Sequence, residues 1–134
     1  MKKMAFTLFL IPFFLIGCSN EQTIQILNES GDEEKRAEVE EMIKNTEEVY
    51  TGTAIFVEDE LLVAIQVKPW LGFKERKVEK RLQKEIEEKY PDLNVVVSTD
   101  YKMHWETQKL LEEEDQKKVS EKVDKLKKLA KEET

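Results

Sequence analysis

The sequence predicts an α+β fold in which a mixed three-stranded sheet packs against helices, with the element order α-β-β-α-β-α. Three features lead to this prediction. Two charged segments carry apolar residues at helical spacing, three short runs are rich in β-branched residues, and an acidic connection joins the first two runs. The domain is expected over residues 33–111, between a tether at 18–32 and a charged helical tail at 112–134.

The first half of the predicted domain is a helix followed by a hairpin. Residues 33–48 lack Gly and Pro, and Val39, Met42 and Ile43 give them one narrow apolar face. Two strands are predicted at 53–57 and 61–67, on either side of the connection 58–60. Alternation in the second strand directs one set of residues into the core: Leu61, Val63, Ile65 and Val67.

The second half contains the most regular helical pattern of the chain. Apolar residues recur at every fourth position across residues 74–90: Val78, Leu82, Ile86 and Tyr90. Pro91 ends this helix, residues 94–98 are a short buried strand, and a further helix begins near Tyr101. We expect the first two helices to cover one face of the sheet. In the tail, apolar residues form a weak stripe at helical spacing: Val119, Val123, Leu126 and Ala130. This stripe is compatible with an extension of the preceding helix, with a separate helix or with a frayed end.

The N-terminus has the features of an export signal. Lys2 and Lys3 precede a twelve-residue apolar segment that is shorter than the ~20 residues needed to cross a bilayer. The segment ends in Leu-Ile-Gly before Cys18, which is the only cysteine. We therefore predict a lipoprotein signal at residues 1–17 and a diacylglycerol on Cys18, with or without a further N-acyl chain. The alternative is a plain signal or anchor helix with an incidental cysteine.

The remaining chain is acidic. The formal net charge of −7 becomes −9 without residues 1–17, because that segment contains two lysines and no acidic residue. Nucleic-acid-binding domains usually carry a basic surface, so no nucleic-acid partner is expected. Residues 18–32 are expected to let the domain stand off the membrane, with a short apolar patch docking on the body: Ile24, Ile26 and Leu27.

Residues suited to catalysis or metal binding are few. His104 is the only histidine, and it has Asp100 four residues before it and Ser98 nearby. A serine nucleophile needs a base and an orienting group, and neither acidic run, 58–60 or 112–115, has the ligand pattern of a calcium loop. We therefore predict no enzymatic activity, no metal site and no cofactor beyond the lipid. A hydrolase or metal enzyme would require His104 to lie in a pocket beside an acid or a serine.

The most unusual local feature is an aromatic segment before a basic helix start. Trp70 and Phe73 precede a helix whose first half is rich in lysine and arginine and whose second half is rich in glutamate. The helix dipole favours the opposite distribution of charge. We predict a contact with the membrane or with a partner through Trp70, Phe73, Lys74, Lys77 and Arg81. The alternative is that the aromatic residues cap the core and the lysines are solvated.

Taken together, several motifs resemble those of the YhcN/YlaJ-type sporulation lipoproteins of Bacillus-like bacteria. They are the lipobox, the acidic helix, the hairpin pattern from Ala54 to Ile65 and the N-V-V-V-S-T-D strand that begins at Asn94. The resemblance covers residues 15–111. Unlike many members of that family, this chain lacks a long Asn/Gly-rich linker after the lipobox.

This resemblance implies a BON-like body that acts by binding and an extracytoplasmic location on the cell, forespore or spore membrane. It also implies a role in spore germination, outgrowth or membrane assembly, with a protein partner in the spore envelope. The alternative is a BON-like envelope stress or assembly lipoprotein of vegetative cells.

Overall fold

The protein is described by a computed structural model of residues 22–132, so the predicted signal at 1–17 and the lipidation of Cys18 lie outside the described residues. Four strands form one mixed sheet in the order β1-β2-β3-β4. The elements are β1 (Thr23–Asn28), α1 (Glu33–Lys44), β2 (Val49–Val57), β3 (Glu60–Val67), a 3-10 turn (Pro69–Lys74), α2 (Glu75–Lys89), β4 (Asn94–Ser98), α3 (Tyr101–Leu110) and α4 (Gln116–Glu132).

The α+β class is confirmed, but the three-stranded sheet is wrong because β1 adds a fourth strand. β1 pairs in parallel with β2, which in turn pairs antiparallel with β3, and β3 pairs in parallel with β4. Ile24 and Ile26 of β1 pack against one core, while Leu27 packs against the core on the other face. Residues 23–28 are therefore part of the sheet and not of a flexible tether.

Helices α1 and α2 cover one face of the sheet. Their inward residues are fully buried with the apolar side chains of β2, β3 and β4: Val39, Ile43, Val78, Leu82 and Ile86. Gly52 of β2 allows this close packing, because a Cβ at that position would lie 3.3 Å from side-chain atoms of Ile24 and Ile65 and 3.4 Å from Ile43. A larger residue there would require these isoleucine side chains to move by a few tenths of an ångström or more.

Helices α3 and α4 cover the other face. The stripe predicted in the tail is buried on α4 and packs with Ile55, Val57, Leu62 and Val96 of the sheet: Val119, Val123, Leu126 and Ala130. The tail thus forms a separate helix, the second of the three alternatives. Because β1 and α4 both contribute to the cores, the folded unit extends on both sides of the expected 33–111.

The two ends of the sheet differ in what they carry. At one end, β2 starts and β3 finishes, with Val49 paired to Val67. We call this the entry end, because the described chain enters there at Gln22. At the other end, Asn28 finishes β1 and a two-residue turn, Glu58 and Asp59, joins β2 to β3. We call this the hairpin end. Since α2 follows β3 and precedes β4, it runs from the entry end to the hairpin end.

Candidate functional site

The Pro69–Lys74 turn presents two aromatic side chains to solvent. Trp70 is 68% exposed and Phe73 is 81% exposed, whereas Leu71 between them packs against the core under α1 and α2. The turn is fixed at its start, because Lys68 N–H donates to the Glu48 carbonyl (2.9 Å) and Leu71 N–H donates to the Lys68 carbonyl (2.8 Å). The aromatic residues therefore do not cap the core, and Leu71 anchors the turn in their place.

Basic side chains continue from this turn along the outer side of α2. Residues at i+4, i+7 and i+11 from Phe73 share one side of a helix, and they are Lys77, Lys80 and Lys84. All three are exposed, while Val78, Leu82 and Ile86 on the opposite side are buried. Across residues 22–132, neither Lys77 nor Lys80 forms an ion pair. We call Trp70, Phe73, Lys74, Lys77 and Lys80 the contact surface.

Two of the predicted contact residues have partners within the protein. The ammonium group of Lys74 lies over the Phe73 ring, 5.8 Å from its centroid. Arg81 donates from one guanidinium nitrogen to both carboxylate oxygens of Glu48, at 2.8 and 2.9 Å. This hydrogen bond lowers the pKa of Glu48 and raises the pKa of Arg81. Arg81 therefore joins α2 to the loop before β2 through one of its guanidinium nitrogens.

Of the five predicted residues, Trp70, Lys74 and Arg81 line one shallow cleft. Phe73 and Lys77 are exposed beside Lys74, at the end of the turn and in the first turn of α2. The predicted set omitted Lys80, although its spacing from Phe73 and Lys77 indicates the same side of the helix. The shallow cleft beside Trp70 is lined by both acidic and basic side chains, among them Glu47, Glu48, Lys68 and Lys74. This mixture of charges does not resemble a phosphate-binding cradle.

His104 lies on the buried side of α3 and is only 5% exposed. Burial lowers its pKa, and a hydrogen bond with the backbone of Ala64 opposes that shift. Within the described chain, the Nδ1 atom of His104 has no hydrogen-bond partner, and the same is true of the buried Thr53 hydroxyl. The Ser98 hydroxyl instead accepts from Asp100 N–H at 3.2 Å. Within residues 22–132, no hydrogen bond joins the His104 side chain to an acid or to a serine.

The acidic runs serve the fold. Glu60 forms an ion pair with the buried Lys127 at 3.6 Å, and the Glu113 carboxylate accepts from Asp115 N–H at 3.2 Å. Residues 22–132 contain no group of three or more His, Cys, Asp or Glu side chains arranged to hold a metal ion. In the same residues, no helix combines the length and the apolar character needed to cross a membrane.

A second cleft follows the free edge of β4, between α2 and α4. Two side chains of α2 occupy this edge. Gln83 accepts from Val97 N–H at 3.1 Å, and Glu79 accepts from the N–H and the hydroxyl of Thr99 at 3.0 and 2.8 Å. Because these acceptors satisfy donors that would otherwise be open to another strand, they protect the edge from strand pairing.

Comparison with protein-family models, with curated proteins and with solved structures finds no match to this chain.

Proposed function

We propose that this protein is a membrane-anchored, non-enzymatic binding module whose contact surface lies against an anionic bilayer. The anchor is a lipid on Cys18, and the contact surface is the second attachment. The observation that carries the proposal is the exposure of Trp70 and Phe73 beside Lys77 and Lys80, which form no ion pair within residues 22–132. Buried aromatic residues would stabilise the fold, whereas these two are positioned to enter a membrane interface.

The expected binding free energies favour a contact that assists the lipid anchor over a contact that holds the protein on the membrane by itself. Each lysine near an anionic membrane contributes about 1 kcal/mol, so Lys74, Lys77 and Lys80 together contribute roughly 3 kcal/mol. A binding free energy of about 4 kcal/mol corresponds to a Kd of only ~1 mM. The contact surface alone would therefore bind weakly. Joined to a lipid anchor it acts at high effective concentration, and it then orients the protein.

The biological setting that we propose is the spore. The motif resemblance supports an extracytoplasmic lipoprotein of the forespore or spore membrane, acting in germination, outgrowth or membrane assembly through lipid contacts and a protein of the envelope. The second candidate is an envelope stress or assembly module of vegetative cells. A tagged chromosomal copy distinguishes them, since accumulation only in sporulating cells supports the first and constant vegetative expression supports the second.

The lipid contact is tested with the mature chain, residues 18–134, carrying Cys18→Ser. This chain retains every described element of the fold. We expect it to sediment with vesicles of phosphatidylglycerol and phosphatidylcholine only at lipid concentrations above about 1 mM, as the weak binding energy implies, and not with phosphatidylcholine alone.

Lys77→Glu with Lys80→Glu should weaken this binding at least about tenfold, as the reversal of two surface charges implies. The matched control is Lys117→Glu with Lys118→Glu, which makes the same charge change at exposed positions of α4 on the other sheet face. Equal binding by the two variants would contradict the lipid contact. Arg81 is left unchanged because its replacement would break the bond to Glu48.

A further inference from the structure

We infer that the anchored protein sits on the bilayer through the entry end of its sheet, so that the lipid on Cys18 and the contact surface engage one membrane together. This inference rests on the proposed function and adds an orientation to it. The partner is an anionic lipid surface, and the hairpin end points away from it.

The first step is where the chain enters the fold. The Gln22 side-chain amide donates to the carbonyls of Thr46 (3.0 Å) and Val49 (3.1 Å). The Thr51 hydroxyl donates to the Thr23 carbonyl at 3.0 Å, and β1 pairs with β2 from Thr23 onward. Gln22 is therefore fixed beside the loop between α1 and β2.

The second step is that the contact surface adjoins the same loop. Lys68 N–H donates to the carbonyl of Glu48, and Arg81 of α2 binds the carboxylate of Glu48. Gln22 thus binds Thr46 and Val49, which flank Glu48 in the chain. Glu48 in turn binds both the start of the aromatic turn and Arg81 of α2. The point of chain entry and the contact surface share the entry end.

The third step is the reach of the anchor. Cys18 lies four positions before Gln22, and a fully extended chain spans at most ~3.3–3.6 Å per residue, or about 14 Å over this distance. The nine residues of β2 extend roughly 30 Å from the entry end to the hairpin end. A lipid on Cys18 would therefore hold the entry end close to the headgroups. The longer tether expected for residues 18–32 is absent because residues 23–28 are in the sheet.

The fourth step is the distribution of charge along the molecule. The basic start of α2 lies at the entry end, where Arg81 neutralises Glu48. The lysine and arginine residues there outnumber the exposed acidic residues Glu47 and Glu75: Lys68, Lys74, Arg76, Lys77 and Lys80. Acidic residues cluster around the hairpin end, in the β1–α1 connection, the hairpin turn and the segment before β4: Glu29, Asp32, Glu33, Glu34, Glu58, Asp59 and Asp92. An anionic surface attracts the entry end and repels the hairpin end. This orientation also gives a reason for the charge order of α2, which opposes the helix dipole.

The test uses the lipidated protein purified from cells and inserted in vesicles of phosphatidylglycerol and phosphatidylcholine that contain a nitroxide-labelled lipid. The chain has two tryptophans, so Trp105→Phe leaves Trp70 as the only reporter. A second chain with Trp70→Phe, Trp105→Phe and Asp59→Trp places the reporter at the exposed hairpin turn. We expect at least about twofold quenching of Trp70 and little quenching of the hairpin reporter, since contact quenching requires proximity to the headgroups.

Equal quenching of the two reporters, or stronger quenching at the hairpin turn, would overturn the orientation. The unlipidated Cys18→Ser chain separates this inference from the proposed function. If that chain binds anionic vesicles while the lipidated chain shows equal quenching, the orientation is wrong and the lipid contact stands. The unlipidated chain could instead fail to bind while Trp70 of the lipidated chain is selectively quenched. In that case the short connection between Cys18 and Gln22 alone sets the orientation, and the lipid contact is wrong.

Discussion

The residues of the Pro69–Lys74 turn divide into one that stabilises the fold and two that are available for contact. Leu71 packs against the core, whereas Trp70 and Phe73 are exposed. Sequence periodicity predicts the burial of the regular elements, but it gives no side-chain direction in a 3-10 turn with a kink at Leu71. The sequence therefore indicated the aromatic turn without showing which of its residues face solvent.

This division leads to a prediction for stability. Trp70→Ala should change the free energy of unfolding by no more than about 0.5 kcal/mol, because the side chain is mostly exposed. Leu71→Ala should cost about 1–2 kcal/mol, less than a fully buried leucine, because it removes apolar contacts to the core. Urea unfolding of both variants measures the difference. A larger loss for Trp70→Ala would mean that Trp70 supports the fold.

His104 gives a prediction for pH. The unfolded chain has the ordinary histidine pKa of about 6.5, and burial lowers the folded value, so below about pH 6.5 the unfolded state binds the proton more readily. Stability should therefore be full above about pH 6.5 and decline as the pH falls toward the folded pKa.

The urea midpoint from about pH 7.5 to about pH 5.5 isolates this effect, since the carboxylates titrate lower. His104→Gln removes the titrating group and keeps an N–H donor for Ala64. Its midpoint should stay nearly constant over this range, and an equal decline in the variant would exclude His104 as the cause.

At the scale of elements, α2 has a regular, buried apolar face, but the order of its charged residues is unfavourable for the helix dipole. Lys77 lies in the first turn of α2, where the helix dipole favours a negative charge. Lys77→Glu should therefore raise the free energy of unfolding by about 0.3–1 kcal/mol. The same change should weaken binding to anionic vesicles. A gain in stability with unchanged vesicle binding would show that the charge order has no role in lipid contact.

The β4 edge gives a second prediction at this scale. Gln83→Ala removes the acceptor of Val97 N–H and should cost about 0.5–1.5 kcal/mol. Because the donor becomes open to another strand, the variant should also form more dimer at high concentration. Lys84→Ala, one residue further along, is the control. Identical stability and association of the two variants, measured by urea unfolding and analytical ultracentrifugation, would contradict this role of Gln83.

At the scale of the whole molecule, the sequence predicts the elements whose residues repeat locally. The pattern of α2 and the run of valines in β4 match the observed Glu75–Lys89 and Asn94–Ser98 closely. The strand β1, TIQILN, was missed because its few apolar residues lie in a polar segment. Its alternation of Ile24 and Ile26 is a weak signal, and its partner β2 lies 28 residues away along the chain.

For the candidate site, too, the sequence predicts what is local and misses the contacts between distant segments. Residue types indicated an aromatic and basic surface, but the pairing of Arg81 with Glu48 spans 33 residues and has no local signature. The proximity of Gln22 to the aromatic turn likewise depends on the parallel pairing of β1 with β2. Contacts between distant segments therefore decide which cation is paired within the protein and at which end of the sheet the described chain enters.

The most direct measurement of membrane contact is the emission of Trp70 in the Cys18→Ser, Trp105→Phe chain during titration with anionic vesicles. The emission should shift to shorter wavelength and saturate, because the indole leaves water for the interface. High salt should reverse the shift, since it screens the lysines. Emission that stays unchanged at every vesicle concentration would contradict the contact of this surface with lipid.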